Sequence, residues 1–207
     1  MPRKPEYDRD ALIERARDLF WKQGWAGTSM KDLERVLDLK PGSFYAAFGS
    51  KDALFELTLE RYAQDGVQRL EALVEELGPL AALQAFPFRT ICNPDTPAKA
   101  CMLAKSVLEL SGRDHSLAEV ANRHLKTMEN LFAELFQAAQ AQGKIDAALD
   151  PKALARRYQS DLMGLRISAE RDVVDARAIA EEISDNLLQL APQENTTSRS
   201  DPLNATR

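Results

Sequence analysis

Glycine is scarce in this chain, 9 of 207 residues, or about 4% against the ~7% typical of globular proteins. The shortage argues against Gly-rich phosphate-binding loops and against a turn-rich all-β fold. Cysteine and histidine number two each, which all but excludes a disulfide framework or a structural zinc cluster. No apolar run approaches the ~18 residues of a membrane-spanning helix. The opening stretch MPRKPEYDRD lacks the apolar core of a secretory signal. A cytoplasmic location with no membrane partner is therefore expected. No Gly-x-Ser-x-Gly, no His-Glu pair at helical spacing and no phosphate loop occurs, so no catalytic residue, metal or cofactor is expected.

What is present is a helical composition. Apolar residues make up 44% of the chain, enough to bury a core. Lys and Arg total 27 against 32 Asp and Glu, a net charge of -5. The balance is uneven: residues 1–51 hold ten basic and eight acidic residues, so a slightly basic head precedes an acidic body. Apolar residues recur at helical spacing almost throughout. A first helix carries Leu12, Ala16, Leu19 and Phe20, a second Met30, Leu33, Val36 and Leu37, and a third Phe44, Tyr45 and Phe48. A fourth starts near Lys51 and is stopped by Gly78-Pro79. The stretch 87–97, PFRTICNPDTP, reads as a loop or broken helix because of its three prolines. Helices around Met102–Leu110, from Leu117 to Phe136, from Pro151, and through Ile179 to Leu190 follow. The expected fold is all-α with about nine helices. Three form a head over 1–50, which the fourth joins to a helical body over 51–191, and 192–207 form a disordered tail.

Residues 28–52, TSMKDLERVLDLKPGSFYAAFGSKD, carry the functional signal. Ser29 can cap a helix with Asp32 three residues on, as in a capping box. Asp38-Leu39-Lys40 make a turn, and Pro41 suits the first position of the next helix. Ser50 can cap the fourth. This is the layout of a helix-turn-helix, whose second helix enters the major groove N-terminus first. The start Pro41-Gly42-Ser43 offers backbone N–H groups to phosphates or base edges. Ser43 can bond a base edge, Tyr45 can reach a phosphate, and Lys40 and Lys51 bracket the helix with positive charge. Phe44 and Phe48 share a face and should pack on Leu33 and Leu37. Two ordinary amphipathic helices would show the same spacing.

The string LFWKQGWAGTSMKDLERVLDLKPGSFYAAFGSKDAL, Leu19 to Leu54, resembles the DNA-binding head of TetR/AcrR-type transcriptional regulators. The match rests on Leu19-Phe20, Gly24, Thr28-Ser29, Asp32-Leu33, Gly42-Ser43, Tyr45, Phe48, Ser50-Lys51-Asp52 and Leu54. The resemblance implies a homodimer formed by the last two long helices, reading a palindromic double-stranded operator. It implies a repressor released by a small-molecule effector held in the body. Carried over, Thr28 would bond a phosphate, Gly42 and Ser43 would approach bases, and Tyr45 and Lys51 would hold phosphates. Ala46 and Ala47 depart from the pattern and offer only methyl contacts.

In the body, Phe86, Phe88, Met102, Leu103, Met128, Phe132, Tyr158 and Met163 are candidates to line an effector pocket or simply to fill the core. Arg89 and Arg166 are candidate partners for an acidic ligand, or else solvated or locally paired. Cys101 starts a helix near Lys99 and Lys105, a setting that favours a thiolate. The segment is similar to that of a subgroup with a Gly-Cys pair, some members of which sense oxidants or electrophiles; Ala100 replaces the glycine here. Thiol sensing through Cys101 is the alternative mechanism, a small buried apolar cysteine the plain one. A disulfide to Cys92 is geometrically conceivable. His115 and His124 read as capping or surface residues, with Asp114 or Ser116 as caps. A non-DNA helical adaptor is the remaining functional reading.

Overall fold

The computed structural model describes residues 8–94, 96–113 and 115–192. Among the described residues every regular element is helical: α1 (Arg9–Gln23), α2 (Met30–Leu37), α3 (Pro41–Phe48), α4 (Lys51–Leu77), α5 (Pro79–Ile91), α6 (Met102–Ser111), α7 (Ser116–Ala141), α8 (Pro151–Ser168) and α9 (Ala176–Leu188). None is long and apolar enough to cross a membrane. The tail 192–207 lies outside the described residues apart from Pro192, and so does Asp114.

Local chemistry starts and stops these helices. The Ser29 hydroxyl accepts from the Asp32 N–H while the Asp32 carboxylate takes the Ser29 N–H at 3.1 Å, a complete capping box. Those bonds hold the Asp32 carboxyl below the usual carboxylate range, the Ser29 hydroxyl contributing most. The cap therefore contributes fully above the pKa of an unfolded Asp and fades as pH falls through the lowered value. Asp38 ends α2 in the left-handed region at φ 54°, a conformation that Asp tolerates. Ser50 caps α4 through the Ala53 N–H at 3.0 Å.

One expectation needs correcting. Of the stretch 87–97 expected as a loop or broken helix, the described residues from Cys92 on are a loop, but the start is not: α5 runs from Pro79 through a buried Pro87 to Ile91. Pro87 has no N–H to give to the carbonyl four residues back, which normally disrupts a helix. That carbonyl belongs to Leu83, and the buried Tyr158 hydroxyl from α8 donates to it at 2.6 Å. A partner 75 residues away thus supplies the missing donor. Tyr158→Phe would leave the Leu83 oxygen buried and unpaired. It is expected to lower stability by about 2 kcal/mol, or about 5 °C in thermal melting. Combined with Pro87→Ala, which restores the N–H, the loss should shrink.

Two cores divide the molecule, and neither follows the chain boundary near residue 50. The first joins α1–α3 to the opening half of α4, to α6 and to the start of α7, through Phe20, Phe44, Phe55 and Leu110. The second joins the rest of α4 and α7 to α5, α8 and α9 through Leu70, Phe132, Phe136 and Ile183. The long helices α4 and α7 belong to both, so the head is packed on the body rather than tethered to it.

Candidate DNA interface and effector cavity

Helix α3 is anchored from behind and bare in front. Phe44 and Phe48 are 0% and 5% exposed and anchor α3 against Leu33 and Leu37. Pro41, Gly42, Ser43 and Tyr45 face outward, with Tyr45 53% exposed. The N–H groups of Gly42 and Ser43 lie in the first turn, where no earlier helical carbonyl can take them. The Lys40 side chain makes no cap bond, leaving that end open. Lys40 is exposed, and Lys51 stands at the first position of α4.

Lys51 is not a loose surface charge. Its ammonium sits 4.2 Å from the centre of the Trp25 ring. Burial lowers its pKa, opposed by the charges of Asp52 and Glu109. Trp25 in turn donates from Nε1 to Asp52 at 2.8 Å, and His115 Nε2 lies 3.5 Å from the same carboxylate. His115 also caps α7, its Nδ1 accepting from the Leu117 N–H, so the cap falls to His115 and Ser116 is simply helical. Sequence reasoning missed Trp25; only the tertiary contact reveals its part.

Thr28 departs from the carried-over role. It is 1% exposed, and its hydroxyl donates to the Gly24 carbonyl at 2.7 Å, closing the α1–α2 turn. Gly24 itself has φ +79°, and a Cβ there would meet the Glu109 carboxylate at 2.8 Å. That carboxylate, from α6, accepts from the backbone N–H of Trp25 at 3.0 Å and of Ala26 at 2.7 Å. Lys105 adds a bond from Nζ to the Trp21 carbonyl, and Trp21 Nε1 donates to the Ala100 carbonyl, both at 2.7 Å. The end of α1 and the turn after it are therefore clamped to α6 and to Ala100 just before it.

Behind this clamp lies a cavity of about 600 Å³ between α1, α4, α5, α6, α7 and α8, a size suited to a drug-sized ligand. Six candidates line it: Phe86, Cys101, Leu103, Met128, Phe132 and Met163. Three do not. Met102 is 1% exposed within the first core, Phe88 packs on the second, and Tyr158 stands behind the wall, edge-on to Phe132 at 4.9 Å. Both flagged arginines, Arg89 and Arg166, also face the cavity. Neither arginine has a carboxylate partner among the described residues. Arg166 instead donates to the Lys99 carbonyl and the Tyr62 hydroxyl, both at 2.7 Å. Tyr62 is buried, touches the Cys101 side chain and stacks edge-on with Trp21 at 4.9 Å. Burial, ahead of the other causes, pushes the Tyr62 phenol up. His124 is half-buried and lines the cavity, and burial lowers its pKa. Cys92 is exposed and both thiols are free, so the conceivable disulfide is not formed.

The family description "Bacterial regulatory proteins, tetR family" matches residues 12–58, and "Tetracyclin repressor-like, C-terminal domain" matches residues 66–178. The two meet inside α4. The transcriptional repressor ComR of Escherichia coli K12 is 31% identical over 79% of this chain and 80% of its own. A cysteine mutant of the TetR-family regulator CifR, solved with 26-bp double-strand operator DNA, superposes with a TM-score of 0.77 at 26% identity. That match covers 92% of this chain and all of the other. A TetR-family regulator from Cytophaga hutchinsonii shares the fold, with a TM-score of 0.78 at 19% identity over 90% and 96% of the two chains.

Proposed function

Since the chain belongs to the TetR family of bacterial regulatory proteins, and so is a DNA-binding transcriptional regulator rather than an enzyme, we propose that it is a homodimeric repressor released from a palindromic operator by a small molecule. The observation that carries this reading is the open N-terminus of α3, stiffened by Phe44 and Phe48 and flanked by Lys40 and Lys51. Gly42 and Ser43 approach base edges, and Tyr45, Lys40 and Lys51 hold phosphates. The head is 1–50 and the body 51–191, working in the cytoplasm. Dimerisation runs through α8 and α9, where Ile167 and Leu188 stay 51% and 56% exposed in the single chain. A two-fold dimer then places its recognition helices in successive major grooves about 34–36 Å apart. The effector occupies the cavity behind the head and favours a dimer with misplaced heads.

Selection of bound DNA from a random pool, then a salt titration on the winner, tests this reading. An enriched palindrome whose affinity falls steeply with salt supports it. Weak binding without enrichment overturns it. Ser43→Ala should blur discrimination at particular positions and leave the salt slope intact.

A second reading has its own observation: the Cys101 thiol lines the cavity against Tyr62. On that reading an electrophile or oxidant is the signal. Cys101→Ser should then abolish oxidant-driven release, and unchanged release in the variant ends the idea.

A further inference from the structure

The cavity has two kinds of wall. One is apolar, built from Phe86, Leu103, Met128, Phe132, Leu162 and Met163. The other is charged, with basic groups outnumbering acidic ones by one. Arg17, Arg69, Arg89 and Arg166 face the cavity against Asp18, Asp65 and Glu71. Two of those carboxylates are already engaged, because Arg17 bonds Asp18 at 2.9 Å and Asp65 at 2.6 Å. Glu71 is exposed and makes no ion pair among the described residues. Positive charge is left over.

The surplus is concentrated between α4 and α8. Tyr62, Gly66 and Arg69 recur at helical spacing on α4, as do Leu162, Met163 and Arg166 on α8, and all six face the cavity. Gly66 leaves room beside it: a Cβ there would meet the Met128 methyl at 3.4 Å and Arg69 Nη2 at 3.8 Å. Arg69 makes no hydrogen bond or ion pair among the described residues. Burial is the largest cause lowering its pKa, opposed by Tyr62 and the Asp65 carboxylate; the charges of Arg166 and Arg17 lower it further. Arg166 spends two of its donors on Lys99 and Tyr62, and its Nη2 has no partner among the described residues. Burial disfavours the Arg166 charge, and Tyr62, Cys101 and the more distant Glu170 offset it; an anion at the open Nη2 would complete its hydrogen bonding.

Building on the effector reading above, we propose that the effector is an apolar organic carboxylate, its carboxylate held by Arg69 and Arg166 and its hydrocarbon body lying against Phe86 and Phe132. A planar guanidinium fits a carboxylate with two parallel bonds. The apolar wall suits an aromatic or fatty body. The anion also lies within reach of the head, since Arg166 stands 5.8 Å from the Trp21 ring and the Arg17–Asp65 pair ties α1 to α4 in the same wall.

The test uses the full chain without DNA. Two matched pairs serve as probes: 2-naphthoate with 2-naphthamide, and decanoate with decanamide. Binding is read by calorimetry and by tryptophan fluorescence, to which Trp21 in the cavity wall contributes. At least one acid should bind about tenfold or more tightly than its amide. Arg69→Gln should erase that preference while leaving amide affinity unchanged. Arg166→Gln risks the fold, because it unties α8 from Tyr62; Arg69, which makes no hydrogen bond or ion pair among the described residues, carries the test. Equal affinities for acid and amide overturn the proposal. So does a preference that survives Arg69→Gln, or failure of both acids to bind at millimolar concentration. Operator release is read in parallel by fluorescence anisotropy. An acid that binds tightly yet leaves the operator complex intact upholds the ligand class and overturns release. A neutral compound that fills the cavity and releases the operator does the reverse.

Discussion

Lys51→Glu is expected to weaken operator binding by about 100-fold, roughly the range of a charge-assisted bond lost and then opposed. The change also brings a third carboxylate near Asp52 and Glu109, so its effect on folding is read separately. Position 51 opens α4, and an acidic residue in the first turn of a helix is favourable. What is lost is the contact with the Trp25 ring and the proposed phosphate contact, held at a fixed place. Because the ring restrains the ammonium 4.2 Å away, little side-chain entropy remains to be lost on binding DNA. Lys51→Gln should give a smaller loss and reduce the slope of log affinity against log salt by about one. Binding by anisotropy across a salt series, beside thermal melting of each variant, checks both points. A full-strength Lys51→Glu complex would remove Lys51 from the interface. Trp25→Leu should weaken binding less than either, since it frees the lysine without removing its charge.

Glu109→Ala is expected to have the largest effect on the body. The carboxylate accepts two backbone N–H bonds from the turn after α1, at 3.0 and 2.7 Å. Losing both removes about 3 kcal/mol, or about 10 °C in melting temperature for a chain of this size. The functional loss should be distinct. Glu109 lies on α6, whose first residues border the cavity, while the turn it holds positions Thr28 and the start of α2. Without it the head keeps its own core, through Phe44 and Leu33, and should still bind operator at temperatures where the variant is folded. Release by an effector should weaken, because the cavity no longer pulls on that turn. Circular dichroism melting gives the first number. Anisotropy with and without effector gives the second, and full responsiveness in the variant would assign transmission to another contact.

Most of the helical boundaries were legible because their causes lie within four residues. The Ser29–Asp32 box, Pro41 at the start of α3, Ser50 before α4 and Gly78 after it are local devices. The helical period of apolar residues also marked Phe44 and Phe48 as buried, which left Gly42, Ser43 and Tyr45 facing out. Where local rules failed, a distant partner had intervened. Pro87 predicts a break, and Tyr158 repairs it from α8. Thr28, read as a phosphate ligand, is turned inward by the Gly24 carbonyl.

The cavity residues show the limit more sharply. Met102 and Met128 are alike as sequence, yet one fills the first core and the other faces open space. Which way each points depends on how α6 and α7 pack, and period alone cannot distinguish a wall from a core. The charged end of the cavity was further out of reach. Arg166 meets Tyr62 across 104 residues, and Trp25 meets Glu109 across 84. Local rules along the chain suffice for the all-helical fold, the helix-turn-helix and the face of α3 that it presents, because backbone hydrogen bonding and helical period act over one or two turns. Only the tertiary structure decided how the head is clamped to the body and which side chains share the cavity, because burial and charge depend on groups that are neighbours in space and far apart in the chain.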